Sequence, residues 1–375
     1  MKISVLQEAL AYGLGTVSRA VAPRSSLPVL ANILTASDDG RLRLSATNTE
    51  MGITCWIDAK IETEGSTTIP ARTFADLVGT LPKERVDMIL DETNQTLHVA
   101  CGTTNTDIKC IDAEEFPPMP APDLSNGVEI NVADLREMVQ QVVFSASLDE
   151  SRQVLNGVLV IVKDNRMTMV AADGFRLSVR WAELSTPAGQ AVHIIVPARA
   201  LAELARIAGD GSGMLTMVVP SGRGQVVFRA KDVELSTQLI DGSFPPYEQA
   251  IPVAFQTRTV VSTEAFLKAC KQTEIFAREN SHIARLEIKP GGEAQPGTVE
   301  LFARSDETGS SEAIVDANIE GEPLQISFNV RYLRDVLEVI RTPNVALETN
   351  TAGSPGVIRP LGQDQFLHVI MPMQI

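Results

Sequence analysis

The sequence has few of the features that mark secreted and membrane proteins. It has 4 cysteines in 375 residues, no CxxC pair, and no apolar run near the ~18 residues that a membrane span needs. Polar residues interrupt the first positions, where a signal peptide would have its apolar core. We therefore expect a cytoplasmic protein with no membrane segment, in which the cysteines are reduced residues of the core or the strands.

An excess of basic charge is also lacking. The chain has 32 Lys and Arg against 47 Asp and Glu, which gives a formal net charge of −15. A protein that holds nucleic acid by its overall field is basic, so this balance excludes that mode of binding and leaves only a local basic surface. The composition, 44% hydrophobic and 21% charged, is typical of a folded chain. The length predicts about two to four domains.

Sequence motifs for chemistry are absent too. The chain contains no GxxxxGK[ST], HExxH, GxSxG or EF-hand loop, and its 4 histidines lack metal-ligand spacing. We expect no catalytic residue, no metal site and no cofactor. An enzyme with its active site between repeats stays open as an alternative, because titratable groups that are distant in sequence could converge in a cleft.

The chain does contain a threefold repeat. Ser4, Asn131 and Ser262 are residue types that favour helix N-caps, and apolar residues at helical spacing follow each of them, so we predict that all three are N-caps. A second marker is an arginine that opens a shorter helical pattern, at Arg72, Arg199 and Arg331. Between the markers, apolar runs separated by turn residues predict antiparallel strands. The repeat therefore predicts three α+β domains with two helices each, at 1–127, 128–255 and 256–375.

A series of short motifs resembles that of the bacterial DNA polymerase sliding clamps, the beta subunits of DNA polymerase III. The motifs lie in the same order along the whole chain: Arg24–Leu30, Thr47–Met51, Leu155–Gly157, Ala172–Leu177, Phe244–Tyr247, Phe328–Tyr332 and Val369–Met373. Each motif is weak alone, but all of them in this order are specific for the family.

The resemblance implies a head-to-tail homodimer in which six domains form a ring around duplex DNA. Helices would line the hole and antiparallel sheets would lie outside. Such a clamp is a non-catalytic processivity factor, held on DNA by topology, so an acidic outer surface is compatible with it. The implied partners are duplex DNA of any sequence, the replicative DNA polymerase, the clamp loader, repair polymerases and other proteins with a clamp-binding motif.

Cations on the predicted helices are candidates for the lining of the hole, and Arg24 matches a family position that contacts DNA. The candidate DNA-binding residues are Arg24, Arg72, Arg136, Arg199, Arg206, Lys268, Lys271 and Arg331. Their contacts would be to phosphates and would carry no sequence information. The alternative is that these cations pair with nearby acids such as Asp134, Glu203 or Asp335 on solvated helix faces.

The resemblance also implies a pocket for short peptides between the second and third domains. The matching residues are Leu155, Ala172, Gly174, Phe175, Arg176, Leu177, Pro245, Asn329, Tyr332, Val369, Ile370, Met371, Pro372 and Met373. Phe175 departs from the histidine that is frequent in the family, and Glu248 and Gln249 follow Tyr247 where a basic residue is common. Two alternatives remain open: Leu155, Leu177 and Val369 could be strand core, and the chain could be a monomeric peptide-binding scaffold that does not encircle DNA.

Overall fold

Helices begin close to the repeated sequence markers. The computed structural model describes residues 1–209, 212–222, 224–292 and 295–373. Within these ranges the α-helices are α1 (Gln7–Val17), α2 (Ala71–Thr80), α3 (Val132–Val142), α4 (Ala198–Ile207), α5 (Thr263–Ala277) and α6 (Val330–Val339). The three shorter helices, α2, α4 and α6, all begin at or one residue before the predicted arginine marker.

The predicted N-caps were correct at two of three positions. Asn131 Oδ1 accepts a hydrogen bond from the Ala133 N–H at 2.8 Å, and Ser262 Oγ accepts one from the Ala265 N–H at 3.4 Å. The prediction for Ser4 was wrong, because Ser4 lies within a strand, where its hydroxyl donates to Asp87 on the neighbouring strand. The N-cap position of α1 is Leu6, which makes no side-chain cap hydrogen bond, and the Gln7 side chain instead links α1 to α2 by donating to the Val78 carbonyl at 2.7 Å.

The strands fill the segments between the helices. They are β1 (Lys2–Leu6), β2 (Asn32–Asp38), β3 (Arg41–Thr47), β4 (Met51–Thr63), β5 (Ser66–Pro70), β6 (Arg85–Asp91), β7 (Thr96–Cys101), β8 (Thr104–Lys109), β9 (Val128–Asn131), β10 (Gly157–Lys163), β11 (Arg166–Ala172), β12 (Arg176–Glu183), β13 (Val192–Pro197), β14 (Met214–Val218), β15 (Gln225–Ala230), β16 (Val233–Gln238), β17 (Thr257–Ser262), β18 (Ile283–Lys289), β19 (Gly297–Ser305), β20 (Gly309–Glu320), β21 (Leu324–Asn329), β22 (Asn344–Thr349), β23 (Gly356–Pro360) and β24 (Phe366–Ile370).

The described residues divide into two compact units, each with one 12-stranded antiparallel sheet. The first unit comprises residues 1–133 and the described part of 200–239, and its sheet runs β8-β7-β6-β1-β4-β16-β15-β14-β9, with β3, β2 and β5 continuing from β4. The second unit comprises 134–199 and the described part of 240–375, and its sheet runs β13-β10-β11-β12-β24-β23-β22-β17-β20-β19-β18-β21. Strands of the predicted second domain belong to both units, so the three predicted domain boundaries stay a prediction.

Apolar side chains fill the cores of both units. In the second unit one cluster includes Phe266, Phe328 and Phe366, and a smaller cluster includes Leu177 and Val369. Cys55, Cys101 and Cys270 are buried, Cys110 is partly buried, and the four form no disulfide. Burial raises the pKa of the Cys55 thiol to about 11, so this thiol stays protonated and unreactive at neutral pH.

Candidate peptide pocket and nucleic-acid interface

A tight turn between β11 and β12 forms one wall of the candidate pocket. Asp173 Oδ1 accepts hydrogen bonds from the backbone N–H groups of Phe175, at 2.9 Å, and Arg176, at 3.0 Å. Gly174 has φ of +92°, a backbone conformation that a side chain would strain. The turn leaves the Phe175 ring 48% exposed. A large apolar side chain is therefore presented to solvent on a hydrogen-bonded turn.

Arg176 links this turn to helix α6. Its guanidinium donates to Asp173 Oδ2 at 3.0 Å and to Asp335 Oδ2 at 2.7 Å, and it lies 4.2 Å from the centre of the Tyr332 ring. All three charged side chains are mostly buried. Removing one partner of such a pair leaves a buried charge uncompensated, so Arg176 fixes the position of the turn.

The C-terminal segment forms the opposite wall. The backbone N–H of Met371 donates to the Phe175 carbonyl at 2.9 Å, and that of Met373 donates to the Ser327 carbonyl at 2.8 Å. Met371 is 38% exposed, and Pro372 and Met373 are partly buried. Flexible methionines beside an exposed aromatic ring make a surface that can adapt to different apolar side chains.

The other predicted pocket residues have mixed positions. Leu177, Val369 and Ile370 are buried strand residues and can supply only the floor. Leu155 and Ala172 are partly buried against the cluster that contains Leu177 and Val369. Pro245 is exposed next to buried Phe244. Asn329 caps α6, with its Oδ1 accepting from the Arg331 and Tyr332 N–H groups at 3.0 and 3.4 Å.

A chain of buried polar groups lies behind this floor. Ser178 Oγ is 2.8 Å from Ser145 Oγ and 2.8 Å from His368 Nδ1. Complete burial lowers the pKa of His368 to about 3, so the imidazole is neutral at physiological pH. The sequence analysis did not predict this polar group or the pairing of Arg176 with Asp335. Ser178 and His368 are 190 residues apart in the chain, and Arg176 and Asp335 are 159 apart, so local patterns cannot reveal either pairing.

The candidate DNA-binding cations lie on helices, except Arg24, which lies in the turn after α1. Three of them pair with acids: Arg72 with Asp76 at 3.8 Å, Arg206 with Glu203 at 2.8 Å and Lys271 with Glu338 at 2.9 Å. Arg136 is partly buried. The other four are exposed and form no ion pair with the described residues: Arg24, Arg199, Lys268 and Arg331. The predicted pairing with acids therefore applies to part of the set.

Family comparisons agree with this architecture. Models of the DNA polymerase III beta subunit match its N-terminal domain at residues 1–120, its central domain at 129–246 and its C-terminal domain at 248–374. The beta sliding clamps of Synechococcus elongatus and Bacillus subtilis are 32% and 29% identical to the chain, and each alignment covers 100% of both proteins.

Solved structures extend the likeness to three dimensions. The DNA polymerase sliding clamp from Bacillus subtilis has a TM-score of 0.93 and 26% identity, over 100% of this chain and 99% of that one. The DNA polymerase III beta subunit from Thermotoga maritima has a TM-score of 0.89 and 28% identity, with the same coverage. Three clamp domains built from helices and antiparallel sheets thus define a DNA sliding clamp, which confirms the predicted fold class.

The chain belongs to the beta subunit family of DNA polymerase III, as its sequence motifs predicted. Its function is that of a sliding clamp in DNA replication, and the matches support this function over a monomeric scaffold. Within the described residues, every helix is too short or too polar to cross a membrane.

Proposed function

We propose that two copies of this chain join head to tail, encircle duplex DNA and tether the replicative polymerase, the clamp loader and repair polymerases through the pocket beside Phe175. The chain acts without catalysis, in the cytoplasm, and its three domains have the boundaries predicted from the repeat. The observation that carries the proposal is a pattern of strand pairing that recurs along the chain and leaves β8 of the first unit and the first half of β20 of the second without the partner that the pattern predicts.

Strand addition occurs twice within the chain. In the first unit β16 pairs with the first half of β4, and in the second unit β24 pairs with the first half of β12. By the repeat, β8 corresponds to β16 and β24, and β20 corresponds to β4 and β12. Within the described residues, β8 pairs only with β7, and the first half of β20 pairs only with β19. These two open edges complement each other, so a second copy can continue the pattern.

The repeat also gives a register for this pairing. A hairpin joins β3 to β4 and another joins β11 to β12. In both β4 and β12, the residue three positions after the last hairpin pair is the one that pairs with the first residue of the added strand. Under the same rule, Thr104 would pair with Glu312 of a second copy, and Thr106 with Ser310. Ile314, an exposed apolar residue on the open part of β20, would be partly covered by the partner.

A cysteine pair tests the homodimer. We expect T106C/S310C, made with Cys110→Ser, to form a covalent dimer under mild oxidation, because paired residues bring their Cα atoms within disulfide range. The control T106C/D316C moves the second thiol about 20 Å along β20 and should not cross-link. Cross-linking of the control alone would overturn this register, and cross-linking of neither variant would overturn head-to-tail pairing and favour the monomeric scaffold.

Retention on DNA tests encirclement. The protein is loaded by a matching ATP-driven clamp loader onto nicked circular plasmid, half of the sample is cut once, and both halves are passed through a sizing column. We expect the protein to remain with circular DNA and to be lost from linear DNA, because a ring slides off an end. Equal retention on both forms would mean that surface contacts hold it. Loading of a known clamp in parallel verifies the loader.

Removal of the C-terminal wall tests the peptide pocket. A chain ending at Ile370 lacks the methionines beside Phe175, so its affinity for a labelled peptide with a clamp-binding motif should fall below detection by calorimetry. The dimer, measured by light scattering, should persist because the truncated segment lies outside both open edges. Unchanged peptide affinity would place the binding site elsewhere.

A further inference from the structure

A cleft in the first unit lies outside the pocket and holds an arginine that the sequence reasoning did not select. Its volume is about 530 Å³. Its lining comes from α1 and the turn after it, and from the end of α4: Ala11, Tyr12, Gly15, Thr16, Arg19, Arg206, Ile207 and Gly209. We call it the Glu203 cleft, after the acid that joins its two arginines.

One shared carboxylate, that of Glu203, joins the two arginines that line the Glu203 cleft. Arg19 Nη1 donates to Glu203 Oε2 at 3.0 Å, and Arg206 Nη1 donates to Glu203 Oε1 at 2.8 Å. The Glu203 side chain is only 14% exposed, whereas those of Arg19 and Arg206 are 42% and 60% exposed. The acid is therefore the fixed centre, and the two guanidiniums extend from it towards solvent.

The charge and donor count of this group favour an anion. Two guanidiniums and one carboxylate leave one net positive charge. Each guanidinium has five N–H donors, of which one donates to Glu203, and most of the others form no hydrogen bond with the described residues. Planar donor forks match the oxygens of a phosphate group, and they are preorganised when a neighbouring acid fixes them.

The wall beside the arginines leaves room for such a group. Gly15 has no side chain, and a Cβ atom built there would meet nothing within 4 Å. The Thr16 hydroxyl is turned back to the Tyr12 carbonyl at 2.9 Å, so it does not obstruct the cleft. A purely structural ion triad would contribute at most about 1 kcal/mol at this exposure and would need no open space in front of it.

We propose that Arg19 and Arg206 together bind one backbone phosphate of duplex DNA, with Glu203 as the residue that positions them. The inference rests on the proposed encirclement of DNA and extends it, because it adds Arg19 as a contact and makes the two arginines one binding element. Contacts of this kind fix the position of the duplex and carry no sequence information.

The salt dependence of duplex binding tests this element. A labelled linear duplex is titrated at several low salt concentrations against wild type, Arg19→Gln, Arg206→Gln and the double variant, with fluorescence anisotropy as the readout. Each single change should reduce the slope of log affinity against log salt by about 0.9, the value for one phosphate contact. The double variant should lose no more than a single one, because both arginines serve one phosphate.

Arg85→Gln is the matched control, because Arg85 is an exposed arginine of the same unit that pairs with Asp87 at 3.0 Å on β6. Slopes equal to that of the control would reduce the triad to a structural role, and additive losses would mean two separate contacts. Either result overturns this inference and leaves encirclement intact. A wild-type protein without salt-dependent binding, and without retention on circular DNA, would overturn both.

Glu203→Gln tests positioning separately. The change makes the chain more positive, so a simple charge effect would strengthen DNA binding. If the carboxylate positions the two arginines, affinity should fall several-fold while the thermal midpoint stays close to that of Arg206→Gln. A rise in affinity would overturn the positioning role.

Discussion

Two turns of the molecule, one in each unit, have the same backbone design and different side chains. In the first unit, Asn48 Oδ1 accepts from the N–H groups of Glu50 and Met51 at 3.1 and 2.8 Å. In the second unit, Asp173 accepts in the same way from Phe175 and Arg176. The strand that follows each turn receives an added strand, and a backbone N–H of that strand's end, Gln238 or Met371, donates to Glu50 or Phe175 at 2.9 Å.

The side chains at equivalent positions have opposite character. The first unit has Glu50, Met51 and Gln238 where the second has Phe175, Arg176 and Met371. Deeper in the sheet, the apolar pair Ile53–Leu235 of the first unit corresponds to the polar pair Ser178–His368 of the second. The same backbone arrangement therefore occurs in both units, and the candidate pocket depends on the few side chains that differ between them.

The largest effect should come from Arg176→Met, which gives the second turn the residue of the first. Asp173 and Asp335 would lose their shared partner in a mostly buried site, at a cost of about 3–5 kcal/mol in the free energy of unfolding. Urea denaturation measures this cost. The matched variant Met51→Leu conserves volume and should cost less than about 1.5 kcal/mol. Similar costs for the two variants would mean that Arg176 does not hold the turn.

The next largest effect should be a difference between the two sheets in their loss of stability at low pH. The pKa of His368 is about 3 in the folded chain, against about 6.5 when unfolded, so the unfolded state binds the extra proton between these values. Stability from this group is complete above pH 6.5 and falls as the pH drops towards 3, by about 1.4 kcal/mol per unit. Hydrogen exchange at pH 4.5 should show earlier loss of protection in β12 and β24 than in β4 and β16.

His368→Gln provides the control for the acid experiment, because glutamine can accept from Ser178 but does not titrate in this range. The variant should lose the difference in acid sensitivity between the two sheets. If wild type and variant respond to pH alike, other groups cause the acid response.

Exchange of the exposed side chains should affect binding alone. F175E/M371Q gives the pocket the residues of the first unit and removes two apolar surfaces that a peptide would cover. Peptide affinity should fall about 30-fold, or about 2 kcal/mol, with little change in stability, as measured by calorimetry. Glu50→Gln in the first unit should leave affinity unchanged. An equal loss in both variants would place the peptide site outside the second unit.

The smallest expected effect concerns the strained residue of the first turn. Thr49 has φ of +76°, although it is β-branched, whereas the second turn has Gly174 with φ of +92°. Thr49→Gly relieves the strain but adds freedom to the unfolded chain, so we expect a net gain of about 0.5–1 kcal/mol. Gly174→Ala should instead lower stability. A destabilised Thr49→Gly chain would show that the threonine makes a compensating contact.

The sequence predicted most of what depends on local pattern. Helix starts at Asn131 and Ser262 followed from cap chemistry, and the arginine markers located α2, α4 and α6. The N-cap prediction was wrong at Ser4 because a serine before an apolar pattern can equally lie in a strand. Long-range pairings were beyond reach: Arg176–Asp335, Ser178–His368 and Arg19–Glu203 join residues 159, 190 and 184 positions apart. Such partners are fixed by which strands and helices meet, and no local spacing encodes that.

The open edges of β8 and β20 also bear on how many copies of the chain can join. A surface that pairs with a different surface on the next copy can either close after a fixed number of subunits or extend without limit into a filament. The same hydrogen bonds serve both outcomes, so in the proposed two-chain ring the curvature of the twisted sheets would select closure. In that proposed ring, a substitution that flattens β20 would not simply yield monomers; it would turn the closed assembly into fibres that grow with protein concentration.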